Sequence, residues 1–202
     1  MITVHHLNAS RSKRVIWLLE ELDIPYKLVQ HQRDAETQLA PASLKAIHPL
    51  AKAPIIVDGD TVLCESGAVM EYIIDQDPQQ RLRPLKQSAD YYFYQEWLHF
   101  AEGSLALPVI ATLMMSMEER KGDQAMDKYI SKEVALDFSY IDTVLSKRTY
   151  FAGTEFTAAD IMMTITLEIA DKLGLLAGRE STLAYLNKVQ SRSAYQKAAS
   201  FG

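Results

Sequence analysis

Apolar and polar positions in the first eighty residues come in short bursts of two different periods. Ile2–Leu7 alternates as a half-buried strand does, and residues 25–30 do the same. Between them, Val15, Leu18, Leu19 and Leu22 recur at helical spacing and predict a helix over 11–22. Pro41 opens a short helix to about Ile47. Pro54-Ile55-Ile56-Val57 and Asp60-Thr61-Val62-Leu63-Cys64 are apolar runs flanking Asp58-Gly59, a strong hairpin signal. A helix from about Ser66 to Asp75 follows, with Val69, Met70, Tyr72 and Ile73 as its stripe. The predicted order is βαβαββα.

The pattern then changes. Residues 79–86 are polar, carry a proline and lack periodicity, as a linker does. Beyond them no strand is predicted, and long helices cover about 88–118, 124–147, 157–173 and 180–190, with a short one near 192–200. The reading is therefore an α/β domain over 1–78 and an all-α bundle over 87–202. Pro108 should kink the first long helix.

Composition narrows the function classes. The 202 residues are 48% hydrophobic and 23% charged, the balance of an ordinary globular chain. Acids outnumber lysines and arginines, 26 to 21, which argues against a nucleic-acid partner. The longest apolar runs are shorter than the ~20 residues of a membrane helix, and the N-terminus carries no signal-peptide pattern. The single cysteine, Cys64, fits a reducing cytoplasm and reads as a buried strand residue. The five histidines are scattered without metal-ligand spacing, so no metal is expected.

Four short segments carry candidate chemistry. In Asn8-Ala9-Ser10-Arg11-Ser12-Lys13-Arg14, Ser10 reads as a helix N-cap. The cations Arg11, Lys13 and Arg14 sit where the helix dipole disfavours them, an arrangement that would stabilise a bound anion. In His48-Pro49-Leu50-Ala51-Lys52-Ala53-Pro54, a cis Pro54 would expose the main chain of Ala53 to an extended ligand, whereas an ordinary turn proline would not. Glu65-Ser66 stands where the hairpin enters a helix; Ser66 either caps that helix or also holds a carboxylate. Thr157 and Asp160 form a capping box with Phe156 before it, a folding device.

Taken together, these segments resemble the glutathione transferase family over nearly the whole chain. The resemblance implies a thioredoxin-like N-terminal domain and a helical C-terminal domain. Lys52-Ala53-Pro54 aligns with the family's cis-proline segment, Glu65-Ser66 with the pair that holds the γ-glutamyl group, and Thr157 to Asp160 with its capping box. The wording Ile-His-Pro-Leu-Ala-Lys-Ala-Pro is similar to a subgroup shared by bacteria and fungi. By this likeness, Ala53 pairs with the cysteinyl part of glutathione, Lys52 contacts its backbone or glycyl end, and Ser10 faces the sulfur. Ser12, Arg11 or a main-chain N–H are the alternatives for the last role. No tyrosine lies in the first strand or turn, and Ala51 replaces the usual glycine.

The activity implied is attack of the glutathione thiolate, glutathione being a co-substrate, on a small apolar electrophile. A free thiol has a pKa near about 8.5, and lowering it by ~2 units requires roughly 2.7 kcal/mol in favour of the anion. One hydroxyl donor supplies about 1.5–3 kcal/mol and a helix N-terminus ~1 more. A glutathione-dependent peroxidase or disulfide reductase, and a non-catalytic binding or regulatory protein, are the alternatives. Phe100, Met114 and Met115 are candidates for the second-substrate pocket, and a cytoplasmic homodimer without membrane or nucleic-acid partners is implied.

Overall fold

The structure, a computed structural model, describes residues 1–202 and divides into two compact units. The first is Met1–Leu82 together with Ser191–Gly202; the second is Arg83–Gln190. One division between them falls between Leu82 and Arg83. The last segment joins the sheet-bearing unit, where the sequence reading had placed it with the helical one.

The first unit contains β1 (Ile2–Leu7), α1 (Ser12–Glu21), β2 (Tyr26–His31), α2 (Ala42–Lys45), β3 (Ile55–Asp58), β4 (Thr61–Cys64) and α3 (Ser66–Gln76). The sheet order is β2-β1-β3-β4, with β2 parallel to β1 and the other pairings antiparallel. This is the thioredoxin-like arrangement the βαβαββα order implies. Alternation along β1 sends its side chains to two faces. Val4 lies on the face that also carries His6 and meets α1, and α1 in turn packs on α3. Leu7 joins Leu44 of α2 and Ile55 in a separate cluster on the other face. The hairpin loop is Gly59-Asp60, one residue later than predicted, because Asp58 still pairs with Thr61. Gly59 takes the first loop position at φ 58, where a residue without Cβ is favoured.

The last helix of the chain, here α9 (Ser193–Ala199), packs on α1. The Tyr195 ring meets Trp17 edge-on at 5.0 Å. Glu21 receives two hydrogen bonds from Arg192 at 2.6 and 2.7 Å, and Lys197 pairs with Glu20 at 2.8 Å.

In the second unit, α4 (Asp90–Phe100) runs through a π-helical turn, Ala101–Leu105, into α5 (Ala106–Met115). Pro108 offers no N–H to the Ser104 carbonyl four residues earlier, and the helix widens in that stretch rather than breaking. The continuous helix Asp90–Met115 is long and apolar enough, by length and composition alone, to cross a membrane, which the apolar-run reading had not foreseen. Its Tyr94, Trp97, Leu98, Ala101 and Leu105 are buried, and α4 packs on α7. Next come α6 (Ala125–Leu145), α7 (Ala158–Lys172) and α8 (Glu180–Gln190).

The capping box at α7 forms. Asp160 accepts from the Thr157 N–H at 2.8 Å and the Thr157 hydroxyl at 3.1 Å. Its other carboxylate oxygen accepts from the Phe151 N–H at 3.0 Å and the Tyr185 hydroxyl at 2.8 Å. Asp160 is fully buried, so this side chain nails the α7 entry to two other segments as well as capping it.

Candidate active site

Three loops of the first unit meet at one end of the sheet, and strand register explains why. His5 pairs with Ile55, and Ile55 pairs with Cys64. Two residues beyond those pairs, in the same direction, lie Leu7, Ala53 and Ser66. The β1–α1 turn, the proline loop and the start of α3 therefore emerge side by side.

The Ala53–Pro54 peptide is cis, and neither the N–H nor the C=O of Ala53 has a partner within the protein. A main chain left open beside a strand end can pair with an extended peptide-like molecule. Ala51 takes φ 49, the left-handed region that a glycine occupies without strain. Lys52 is exposed.

Glu65, rather than Ser66, is the N-cap of α3. It adopts φ 73 and makes no side-chain cap, so its exposed carboxylate projects outward. Ser66 is the first helical residue and is 4% exposed. Its hydroxyl accepts a hydrogen bond from Nη1 of Arg14 at 3.4 Å. Arg14 is itself fully buried. A buried guanidinium behind a helix N-terminus adds positive potential where unpaired N–H groups already favour an anion. Residues Ser10 to Arg14 thus divide: Arg14 turns inward, while Arg11 and Lys13 stay half-exposed.

Ser10 is not the N-cap of α1. Arg11 occupies that position without a side-chain cap, and the Ser10 hydroxyl accepts from the Ser12 N–H at 3.2 Å. Ser10 is half-buried, whereas Ser12 is fully buried. Their oxygens are 2.6 Å apart, and Ser12 also lies 2.8 Å from Nδ1 of His6. Arg33 braces this turn: its side chain donates to the carbonyls of Asn8, Ala9 and Gln38, and its N–H to the Asn8 side chain.

Residues 4–81 match the glutathione S-transferase N-terminal domain, and residues 103–191 match the glutathione S-transferase C-terminal domain. Glutathione S-transferase 3 of Schizosaccharomyces pombe is 33% identical, the match spanning 85% of this chain and 75% of that one. The chain belongs to the glutathione transferase family. Glutathione S-transferase 1 of Saccharomyces cerevisiae is 30% identical over 84% of the transferase chain and 81% of its own. A solved glutathione S-transferase from Actinobacillus pleuropneumoniae superposes with a TM-score of 0.90 at 31% identity, over 99% of this chain and 92% of that one. The fold also matches URE2P8 from Phanerochaete chrysosporium, solved with oxidized glutathione, at a TM-score of 0.82 and 19% identity, covering 98% and 93%.

The remaining sequence candidates of the transferase fall apart in space. Phe100 packs its ring against Trp97 and Tyr140, at 5.0 and 5.9 Å. Met115 lines a cleft of about 460 Å³ with Thr112, Ile130, Val134 and Leu175, while Met114 is half exposed. Fourteen residues of helix separate Phe100 from Met114, roughly 21 Å of rise, so the three side chains do not share one pocket. Cys64 is half-buried against the Leu7, Leu44 and Ile55 cluster, its sulfur 3.5 Å from Nε2 of His48. Sequence reasoning passed over His6, Arg33 and the inward turn of Arg14. Only Arg14 left a signal: it lies one helical turn before Leu18, on the buried stripe.

Proposed function

We propose that this transferase holds glutathione across the end of its sheet and presents the thiolate to a small apolar electrophile. In this reading the open main chain of Ala53, beside cis Pro54, pairs with the cysteinyl part of the tripeptide. Ser66 and the α3 N-terminus hold the γ-glutamyl carboxylate, and Glu65 accepts from the γ-glutamyl amino group. Lys52 meets the glycyl end, and Ser10 lies at the sulfur. The open main chain of Ala53 beside cis Pro54 carries the proposal furthest, because an N–H and a C=O left without partners at a strand end are what an extended tripeptide can pair with.

Ser10 is favoured over Ser12 for the sulfur, since Ser12 has no exposed surface and is already engaged by His6 and Leu7. Exposed apolar side chains along Asp90–Met115, among them Tyr92 and Leu107, support the homodimer that the family resemblance implies. A single cysteine is consistent with a reducing compartment.

Titration calorimetry with glutathione and S-methylglutathione tests the binding half, and both are expected to release heat. The chemical half is tested with a panel containing a chloronitroaromatic, an organic hydroperoxide and a glutathionyl mixed disulfide. Turnover of the first above the other two supports conjugation. Turnover of the hydroperoxide or the disulfide alone moves the assignment to peroxidase or reductase. Heat without any turnover marks a binding protein.

A further inference from the structure

His6, Ser12 and Ser10 lie in a chain of four contacts of 3.3 Å or less that each need a proton between the two heavy atoms; a fifth, from Ser12 to the Leu7 carbonyl, is longer at 3.4 Å. The four run from the Phe201 carbonyl to His6 Nε2 (3.3 Å), from His6 Nδ1 to Ser12 (2.8 Å), from Ser12 to Ser10 (2.6 Å) and from Ser10 to the Leu7 carbonyl (2.7 Å). Two main-chain donors add to them: the Leu7 N–H reaches Ser12 and the Ser12 N–H reaches Ser10, both at 3.2 Å. With a neutral imidazole the three side chains own one proton each, three for four contacts. With an imidazolium they own four, enough for the four shorter contacts. The chain is built to take one proton more than it holds at rest.

The resting state is the neutral one. Burial lowers the His6 pKa from its ordinary value, and the Phe201 and Gly202 main chain works the other way. His31 on β2 is the titratable group acting on it from the neighbouring strand, also lowering it. With Nε2–H donating to Phe201, Nδ1 accepts from Ser12 and Ser12 accepts from Ser10, so the contact between Ser10 and the Leu7 carbonyl is the one left without a proton. Ser10 then retains a lone pair on the half-exposed side of the chain.

Building on the glutathione site proposed above, we propose that Ser10, Ser12 and His6 form a relay that takes up the thiol proton, with His6 as a positioning residue acting through the two serines. The S–H bond breaks as an O–H bond forms on Ser10. The Ser10 proton passes to Ser12, and the Ser12 proton passes to Nδ1 of His6. The electron pair stays on sulfur and nothing is oxidised; the products are a thiolate and a buried imidazolium. Return of the proton along the same path, to water or to the departing group, resets the chain.

Protonation of the ring is read directly by NMR of the full chain carrying isotope-labelled histidine. Saturating glutathione is expected to shift both His6 ring nitrogens to the doubly protonated pattern. S-methylglutathione, which has no thiol proton, should leave them neutral. His6→Asn keeps an acceptor for the Ser12 hydroxyl but holds no extra proton. In that variant S-methylglutathione should bind within about twofold of wild type, while the ultraviolet thiolate band of bound glutathione titrates about one pH unit higher, a tenfold smaller thiolate fraction on the acid side. A His6 ring that stays neutral while bound thiolate is present overturns the relay and leaves the glutathione site standing. Absence of binding by either ligand overturns both.

Discussion

Arg192 grips Glu21 through two hydrogen bonds of 2.6 and 2.7 Å, joining residues 171 positions apart in sequence. Both groups are partly shielded from water, and a bidentate guanidinium–carboxylate pair of this kind is stronger than an exposed one. It holds α9 on α1, and with it the Phe201 carbonyl on His6. Arg192→Ala should therefore destabilise the protein by about 1–3 kcal/mol in chemical denaturation. Amide exchange should rise over 193–199 before it rises in the sheet. Equal protection throughout would show that the pair is incidental.

Asp160 serves three segments with one side chain. Removing it strands the Phe151 and Thr157 N–H groups and the Tyr185 hydroxyl in the core. Asp160→Ala is expected to cost about 3–5 kcal/mol, near the upper end for a single substitution. Asp160→Asn, which retains an acceptor oxygen, should cost less. A loss for Ala below about 1 kcal/mol would mean that water replaces the carboxylate.

Three histidines give stability a pH dependence whose sign is fixed. His5 and His31 lie 3.0 Å apart, ring nitrogen to ring nitrogen, and His31 reaches Ser43 at 3.0 Å. Burial is the first cause that lowers the pKa of His5, His6 and His31 below 6.5. Below that pH the unfolded chain binds protons that the folded one refuses. Stability should be fully present above 6.5 and fall as the solution becomes more acid. His31→Gln should flatten the fall in melting temperature measured across that range, and an unchanged slope would assign it to other groups.

Ala51 holds a left-handed backbone at φ 49 in the loop before Lys52. A residue with Cβ is strained there by about 1–3 kcal/mol, and glycine gives back roughly 0.5–1 kcal/mol in chain entropy. Ala51→Gly should leave stability unchanged or raise it by up to about 1 kcal/mol, measured by urea denaturation. A clear loss would show that the methyl group makes contacts outweighing the strain.

Ser66→Ala removes the hydroxyl between Arg14 and the proposed carboxylate position. Glutathione affinity by calorimetry should fall by about tenfold or more, the worth of a hydrogen bond to a charged group. Affinity within about twofold of wild type would place the carboxylate elsewhere.

What could be read from the sequence was local. The capping box at Thr157 and Asp160 is spelled out within four residues, and the hairpin within ten, because turns and caps are decided by neighbours. Even there the loop slipped by one residue, since Asp-Gly-Asp offers two placements and only strand pairing chooses. The contacts that shape the site join distant positions: Arg14 with Ser66 across 52 residues, and His6 with Phe201 across 195. Nothing in the immediate surroundings of His6 marks it as different from His5, yet one faces α1 and the other faces β2. The motif order identified the family, whereas the proton bookkeeping of the turn needed distances.

Because Ser191–Gly202 completes the unit that Met1–Leu82 begins, ribosomal synthesis delivers that unit in two instalments. The contiguous Arg83–Gln190 can fold while translation continues, but α1 is covered only once Ser193–Ala199 has been made. A frameshift or premature stop near residue 190 would spare every residue of the proposed tripeptide cradle while stripping both Arg192 from Glu21 and Phe201 from His6. Truncated messages should therefore yield products that chaperones and proteases recognise by a naked α1, with a site correct in composition but unsupported from behind.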